Sequence, residues 1–246
     1  MKRKDFLHLT GICSLGLFTI PHLALGAQDR FTIAQLIGKG NPEITGNSYR
    51  QKMHKQTKDA FLEMKAAAAK DNISIEVVSA YRSFERQKEI FEGKYKRFTG
   101  QGLSPKQALS KIIEYSTIPG TSRHHWGTDI DIIQANTGAR PSSVLQEKHF
   151  YSNGPFCDMK VWLTKNASSF GFYEVYTKDA NRKGFSHEPW HFSYKPVSKP
   201  MLTAYKKLDI KSILQQEKIM GSEHFSDDFI AKYVQEHILD INPELL

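Results

Sequence analysis

Ile118-Pro119-Gly120-Thr121-Ser122-Arg123-His124-His125-Trp126-Gly127-Thr128-Asp129-Ile130-Asp131 is the stretch on which the reading of this 246-residue chain turns. Pro119 and Gly120 make a turn, Gly127 permits a sharp bend, and Thr128 to Ile133 reads as a short strand. A strand leaving that bend carries a carboxylate back toward the histidine that precedes it, so His124 and Asp131 are expected to meet. Imidazole nitrogen and carboxylate oxygen suit a borderline-soft divalent ion such as zinc, at about 2.0–2.2 Å, and a catalytic site takes three such ligands and leaves a position for water. Positions 129 and 131 share one strand face, so Asp129 either orients a ligand or replaces Asp131 as one. His125 competes with His124 but is read as solvent-facing or as orienting a ring.

The third ligand comes from His187-Glu188-Pro189-Trp190-His191-Phe192. Taken literally this is H-E-x-x-H, in which two histidines one helical turn apart bind zinc. Pro189 argues against the helix, because it lacks an amide proton and disfavours helical geometry at Glu188. Trp190, Phe192 and Tyr194 alternate as strand residues do. His191 is therefore taken as the third ligand, Glu188 as a general base just before the strand, and His187 as a residue near the rim.

Further out, helical and extended segments mix irregularly. A helix is expected from Ser48 to Lys70, stopped by Asp71-Asn72, then a strand from Ile73 to Ser79. Ser83 caps a helix running to Gly93, and Ser104-Pro105-Lys106-Gln107 is a capping box that opens a helix through Ile113. A helix from Cys157 to Phe170 ends at Gly171, with strands at Phe172 to Tyr176 and Trp190 to Tyr194. Beyond Pro196 the pattern is helical at Lys199 to Lys207, Ile210 to Met220 and Asp227 to Leu239, read as packing elements. The mixture predicts an α+β fold: one domain with a small, mainly antiparallel sheet flanked by helices, plus a helical C-terminal extension.

Composition excludes other classes. With 39% hydrophobic and 24% charged residues the chain is neither disordered, nor collagen-like, nor a multi-span membrane protein. Lys2, Arg3 and Lys4 precede an apolar run from Leu9 to Ile20, then Pro21 and the small residues Ala24 and Gly26, the layout of a cleaved signal peptide over residues 1–26. The run is short of the roughly 20 residues that span a bilayer, so no stable membrane insertion is expected after cleavage. Export, to a periplasm, follows, by the Sec route or, since Arg3-Lys4-Asp5-Phe6-Leu7 resembles a twin-arginine signal, by that one. Cys13 lies in the leader, which leaves Cys157 as a lone small core residue and no internal disulfide. The net charge of +8 falls to +6 without the leader. Its basic residues are scattered without a stripe of stacking aromatics, so no nucleic-acid partner is expected.

Ser122-x-His124-x-x-Gly127-x-x-x-Asp131 and Glu188-x-Trp190-His191 resemble the two signature motifs of the LAS zinc peptidases, in particular the VanY-type D-alanyl-D-alanine carboxypeptidases. Ser79-Ala80-Tyr81-Arg82-Ser83, with Gln87, is similar to that family's Tyr-Arg-Ser…Gln segment, in the same order along the chain. The resemblance covers Ile73 to Tyr194 and departs at Asp129, where the family commonly has a small residue. It implies a zinc peptidase domain over 27–196 with the 197–246 extension packed on it. It further implies zinc on His124, Asp131 and His191, Glu188 as catalytic base, and Arg82, Gln87 and Ser122 at the substrate, Arg82 also serving catalysis. The implied reaction is hydrolysis of the terminal D-alanine from peptidoglycan stem peptides. A D,D- or L,D-endopeptidase of the same fold, or a non-catalytic zinc domain that binds wall peptides, are the alternatives.

Overall fold

The computed structural model describes residues 30–246, so the leader read over residues 1–26, with Cys13, lies outside the described residues. A short helix α1 (Ile33–Leu36) leads into strand β1 (Ile44–Thr45), which pairs antiparallel with β2 (Met53–His54). That pairing corrects the first expected helix. The chain from Ser48 is held in a turn and hairpin, and α2 spans Lys55–Lys70. Thr57, Phe61, Met64 and Ala68 fall at helical spacing and are its buried face. Asn72 takes φ 59°, the left-handed stop expected of Asp71-Asn72.

Strand β3 (Ile75–Ser79) is followed by α3 (Phe84–Gly100), whose cap Ser83 accepts the Arg86 N–H at 3.2 Å. Helix α3 does not stop at Gly93. A mid-helix glycine costs about 1 kcal/mol, and burial of Phe91 and Tyr95 on either side of Gly93 outweighs that. Helix α4 (Pro105–Ile113) opens with the expected reciprocal Ser104 and Gln107 bonds. Strand β4 (Asp129–Gln134), helix α5 (Cys157–Asn166) and strands β5 (Phe172–Glu174) and β6 (His191–Tyr194) follow. A 3₁₀ turn carries α5 to Gly171, at φ 78°. Cys157 is half-buried at the start of α5 and belongs to neither core, a correction to its expected place.

The C-terminal helices end sooner than their patterns, and the first of them also begins earlier, while the other two start at Ile210 and Asp227 as expected. Helix α6 (Lys195–Tyr205) starts directly off β6 with Pro196 in its first turn, a position that needs no N–H. Helix α7 (Ile210–Gln216) ends before Lys218, at φ 47°. Helix α8 (Asp227–Tyr233) continues as a π turn over Val234–Ile238.

Strands β3-β4-β6-β5 form one antiparallel sheet, making the described residues α+β with two small antiparallel sheets. Two apolar clusters flank it. One packs the sheet against α2 and α5, through Phe61, Met64, Ile130, Ile132, Phe172 and Phe192. The other gathers α3, α4 and the helices after β6, through Phe91, Leu109, Trp126, Met201, Leu214 and Tyr233. Among the described residues no helix is long and apolar enough to cross a membrane.

Candidate metal centre

Strand alternation sorts β4. Ile130 and Ile132 enter the sheet-side cluster, while Asp129 and Asp131 share the opposite face and are buried. Register sets His191 opposite Asp131 and Ser193 opposite Asp129. Gly127, at φ 70°, makes the bend before β4, and a Cβ there would lie 2.3 Å from Ile44 Cδ1 and 2.7 Å from the His54 nitrogen. Both backbone conformation and space reserve the position for glycine. The 3₁₀ turn Arg123–Trp126 then brings His124 over the strand, with Nε2 3.5 Å from Asp131 Oδ2. His191 Nδ1 lies 4.0 Å from Asp131 Oδ1, and the two imidazoles stack at 4.8 Å between centroids. One ligand atom each from His124, Asp131 and His191 falls within 4.8 Å of the others.

The outer bonds of each ring decide which nitrogen faces inward. His124 Nδ1 donates to the Ala80 carbonyl at 2.8 Å, which turns Nε2 toward Asp131. His191 Nε2 donates to Asp129 Oδ2 at 3.0 Å, which leaves Nδ1 facing Asp131 and Glu188. Asp131 Oδ1 is buried and has no hydrogen-bond partner among the described residues. A buried carboxylate oxygen without a partner is costly unless a cation meets it. Two imidazoles and one carboxylate, each with a donor turned to one point, fit the donor set of a catalytic zinc ion.

Asp129 is committed elsewhere. Besides His191 it accepts from Arg123 Nε at 2.8 Å, Thr128 Oγ1 at 2.8 Å and Ser193 Oγ at 2.7 Å. Burial would raise its pKa, but the Arg123 guanidinium and His191 override burial and hold it well below the usual carboxylate range. Of the two carboxylates Asp131 faces the convergence point, and Asp129 fixes the ring of His191 from behind. Burial opposes charge on both inward-facing imidazoles and brings His124 down to about 4. At His191 the carboxylates of Asp129 and Glu188 outweigh burial and push the pKa up to about 10.

Around this point lies a cleft of about 210 Å³ lined by Arg82, Ser122, Tyr176, Glu188 and Trp190 among others. Glu188 is partly exposed, with Oε2 2.9 Å from His191 Nδ1. Its backbone is pinned by its own N–H to the Tyr176 carbonyl and by the His191 N–H to its carbonyl, both 3.0 Å. Arg82 donates to Gln87 Oε1 at 2.9 Å and to Ser79 Oγ at 3.3 Å, so among the described residues its guanidinium has only neutral partners. Gln87 is fully buried and does not itself line the cleft, but it bonds three residues that do: Arg82, the Thr117 carbonyl at 2.7 Å and Ser116 Oγ at 3.3 Å.

Two expected positions differ. His125 is fully buried instead of solvent-facing: Nδ1 donates to the Arg82 carbonyl at 2.6 Å and Nε2 accepts the Gly120 N–H at 3.0 Å, so it has no nitrogen for a metal. His187 is not on the rim of this cleft. Its Nε2 lies 2.8 Å from Glu174 Oε1 and its Nδ1 3.1 Å from Glu147 Oε1, because the turn at Pro189 sends it to the far side of β6. Sequence reading passed over Arg123 and Tyr176. Arg123 neutralises Asp129, and Tyr176 packs edge-on against His191 at 5.2 Å. The cue for Arg123 is Asp129 itself, since a second buried carboxylate needs a cation.

Residues 50–197 match the family model described as VanY, D-alanyl-D-alanine carboxypeptidase. The chain belongs to the VanY family. A D-alanyl-D-alanine carboxypeptidase of Enterococcus faecalis is 28% identical over 153 residues, 62% of this chain and 52% of that one. This chain therefore spans about half the length of that relative. An uncharacterized protein of Haemophilus influenzae is 29% identical over 107 residues, 43% of this chain and 82% of the relative. The solved structure of VanYB in complex with D-alanine-D-alanine shares the fold, with a TM-score of 0.50 and 24% identity, covering 73% of this chain and 92% of the other.

The VanY match ends at 197, yet the chain beyond it reaches back to both halves of the centre. Tyr205 donates to the Gly120 carbonyl at 2.8 Å. The Tyr233 hydroxyl accepts the Ile118 N–H at 3.1 Å and bonds Thr121 Oγ1 at 2.8 Å. Asp240 accepts the Gly184 N–H at 3.0 Å, and its carbonyl accepts from Arg182 Nε at 3.1 Å. A Cβ on Gly184 would lie 1.6 Å from the Glu236 carbonyl oxygen, so the π turn and the loop before Glu188 touch backbone to backbone.

Proposed function

We propose that this VanY-family chain is a zinc-dependent D-alanyl-D-alanine carboxypeptidase that removes the terminal D-alanine from peptidoglycan stem peptides in the periplasm after export. The reading is carried by the convergence of His124, Asp131 and His191 around a buried Asp131 oxygen with no hydrogen-bond partner among the described residues, beneath Glu188. Zinc held by those three residues would supply a water that ionises near neutral pH and a positive charge for the scissile carbonyl.

The chain's own residues do the rest. Glu188 Oε2, at the mouth of the site, takes the proton of the attacking water. As the amide C–N bond breaks, the same carboxyl returns that proton to the departing amine. Arg82, without a carboxylate partner among the described residues, offers its charge to the oxyanion or to the substrate's terminal carboxylate. Ser122 lines the cleft beside them. Asp129 keeps Nδ1 of His191 aimed inward throughout.

Incubating the zinc-loaded protein with a purified pentapeptide, followed by mass spectrometry, tests this. Loss of one terminal D-alanine is expected, and a Glu188→Gln protein should keep its zinc while losing about 10²–10⁴ in rate. Equal release by wild type and variant would overturn the enzyme reading in favour of a wall-peptide-binding domain. Severed cross-linked dimers with intact termini would mean an endopeptidase.

A further inference from the structure

The catalytic cleft, at about 210 Å³, falls below the roughly 300–1,000 Å³ usual for ligand sites. A peptide whose last residue enters it must continue elsewhere. A second groove of about 730 Å³ shares Arg82, Asp131 and Leu145 with the cleft and runs out past the start of α3. Besides Arg82, already committed at the scissile bond, its lining holds four cations, Arg50, Lys52, Arg86 and Arg140, and one carboxylate, the Asp131 already turned to the metal point.

Those cations are placed rather than neutralised. Glu76, which is not among the groove's lining residues, holds Arg50 NH1 at 3.0 Å and Arg140 NH1 at 2.8 Å, one negative charge for two guanidinium groups. Among the described residues Arg86 pairs only with Glu89, both side chains about two-thirds exposed, where such pairs contribute little. Lys52 and Arg82 pair with no carboxylate among the described residues. An open groove lined by one sign of charge concentrates the opposite sign.

We propose, resting on the carboxypeptidase reading, that this groove is a subsite for free carboxylates on the acyl side of the scissile bond. The chain then selects peptides that carry several carboxylates upstream of their terminal D-alanyl-D-alanine. Neutral or amidated peptides bind the same catalytic cleft without the groove's help.

Two synthetic peptides test it, both ending in D-alanyl-D-alanine, one with free upstream carboxylates and one with the same groups amidated. Binding to the full-length, zinc-loaded Glu188→Gln protein is measured by calorimetry, and turnover is measured with wild type. The acidic peptide should bind about fivefold to tenfold more tightly, the scale of a few exposed ion pairs. That preference should shrink toward parity when salt rises from about 0.05 M to about 0.5 M, as the Debye length contracts. Lys52→Ala and Arg140→Gln should each reduce it by weakening the acidic peptide, with a melting curve checking the fold of each variant. Equal binding of the two peptides, or a preference untouched by salt and by both variants, would overturn the subsite. Failure of wild type to cleave either peptide would strike the carboxypeptidase reading alone, since the binding comparison decides the groove by itself.

Discussion

The sheet floor and the C-terminal segment contribute to the same centre in opposite ways. Strands β4 and β6 with the turn before them carry every inward-facing donor, His124, Asp131 and His191, and their short-range patterning announces it. The chain beyond 197 carries no donor, yet it holds the backbone at Ile118 to Thr121 and the loop from Arg182 to Gly184. The donors and the bonds that orient them thus lie in one region, while part of the backbone around them is held from another. A family match that stops at 197 sees only the first.

The sharpest way to probe the first region is Asp129→Asn. It keeps the shape but leaves Arg123 buried without its carboxylate and gives His191 at best a neutral amide oxygen in place of a charged acceptor. Breaking a buried pair costs about 3–5 kcal/mol, visible in denaturant unfolding. Loss of an outer partner weakens metal affinity about 10- to 100-fold, measurable by competition with a chromogenic chelator.

The comparison would break if Gly184→Ala were silent. A methyl group 1.6 Å from the Glu236 oxygen must push the π turn from the loop that leads to Glu188. Displacement by about 1 Å costs up to about 100-fold in rate, so a fall in kcat of at least tenfold is expected, with zinc content unchanged by mass spectrometry. Equal loss of zinc would instead mean that the segment supports the ligands and not the base.

His125 sits where the regions meet, bonded to the Arg82 carbonyl and the Gly120 N–H. Burial lowers its pKa from 6.5 to about 4. Between those values the unfolded chain binds a proton that the folded chain refuses. Stability is therefore full above pH 6.5 and falls as the pH drops toward 4, by about 3 kcal/mol for this group. Thermal melting across that window should show the decline, and a His125→Gln protein should lose that part of the slope.

Tyr233→Phe gives the smallest effect. It removes one hydroxyl and leaves the buried Ile118 N–H without a partner, at a cost of about 1–3 kcal/mol. A lower kcat with KM little changed would mark the hydroxyl as a positioning group. An unchanged kcat at reduced stability would confine it to the core.

How much of this was legible depended on the range of the interactions. The capping box at Ser104 and Gln107 and the glycine bend at Gly127 are settled by neighbours within a few residues, and both stand where the pattern puts them. The expected helix start at Ser48 and stop at Gly93 failed because a strand pairing ten residues away and burial of Phe91 and Tyr95 outweighed local preference. His187 and His191 look equivalent in sequence, yet one pairs with Glu147 and Glu174 while the other faces Asp131.

Residue types and their spacing sufficed to establish an α+β chain, its short strands, and a set of histidines and carboxylates able to gather around one ion. Those follow from backbone sterics and ligand chemistry, which act over a few bonds. Which carboxylate faces that point, which nitrogen of each ring turns inward, and that Tyr205 and Tyr233 brace the turn were decided only when distant segments packed. Burial leaves each polar atom with a small choice of partners, and the chain must satisfy them all at once.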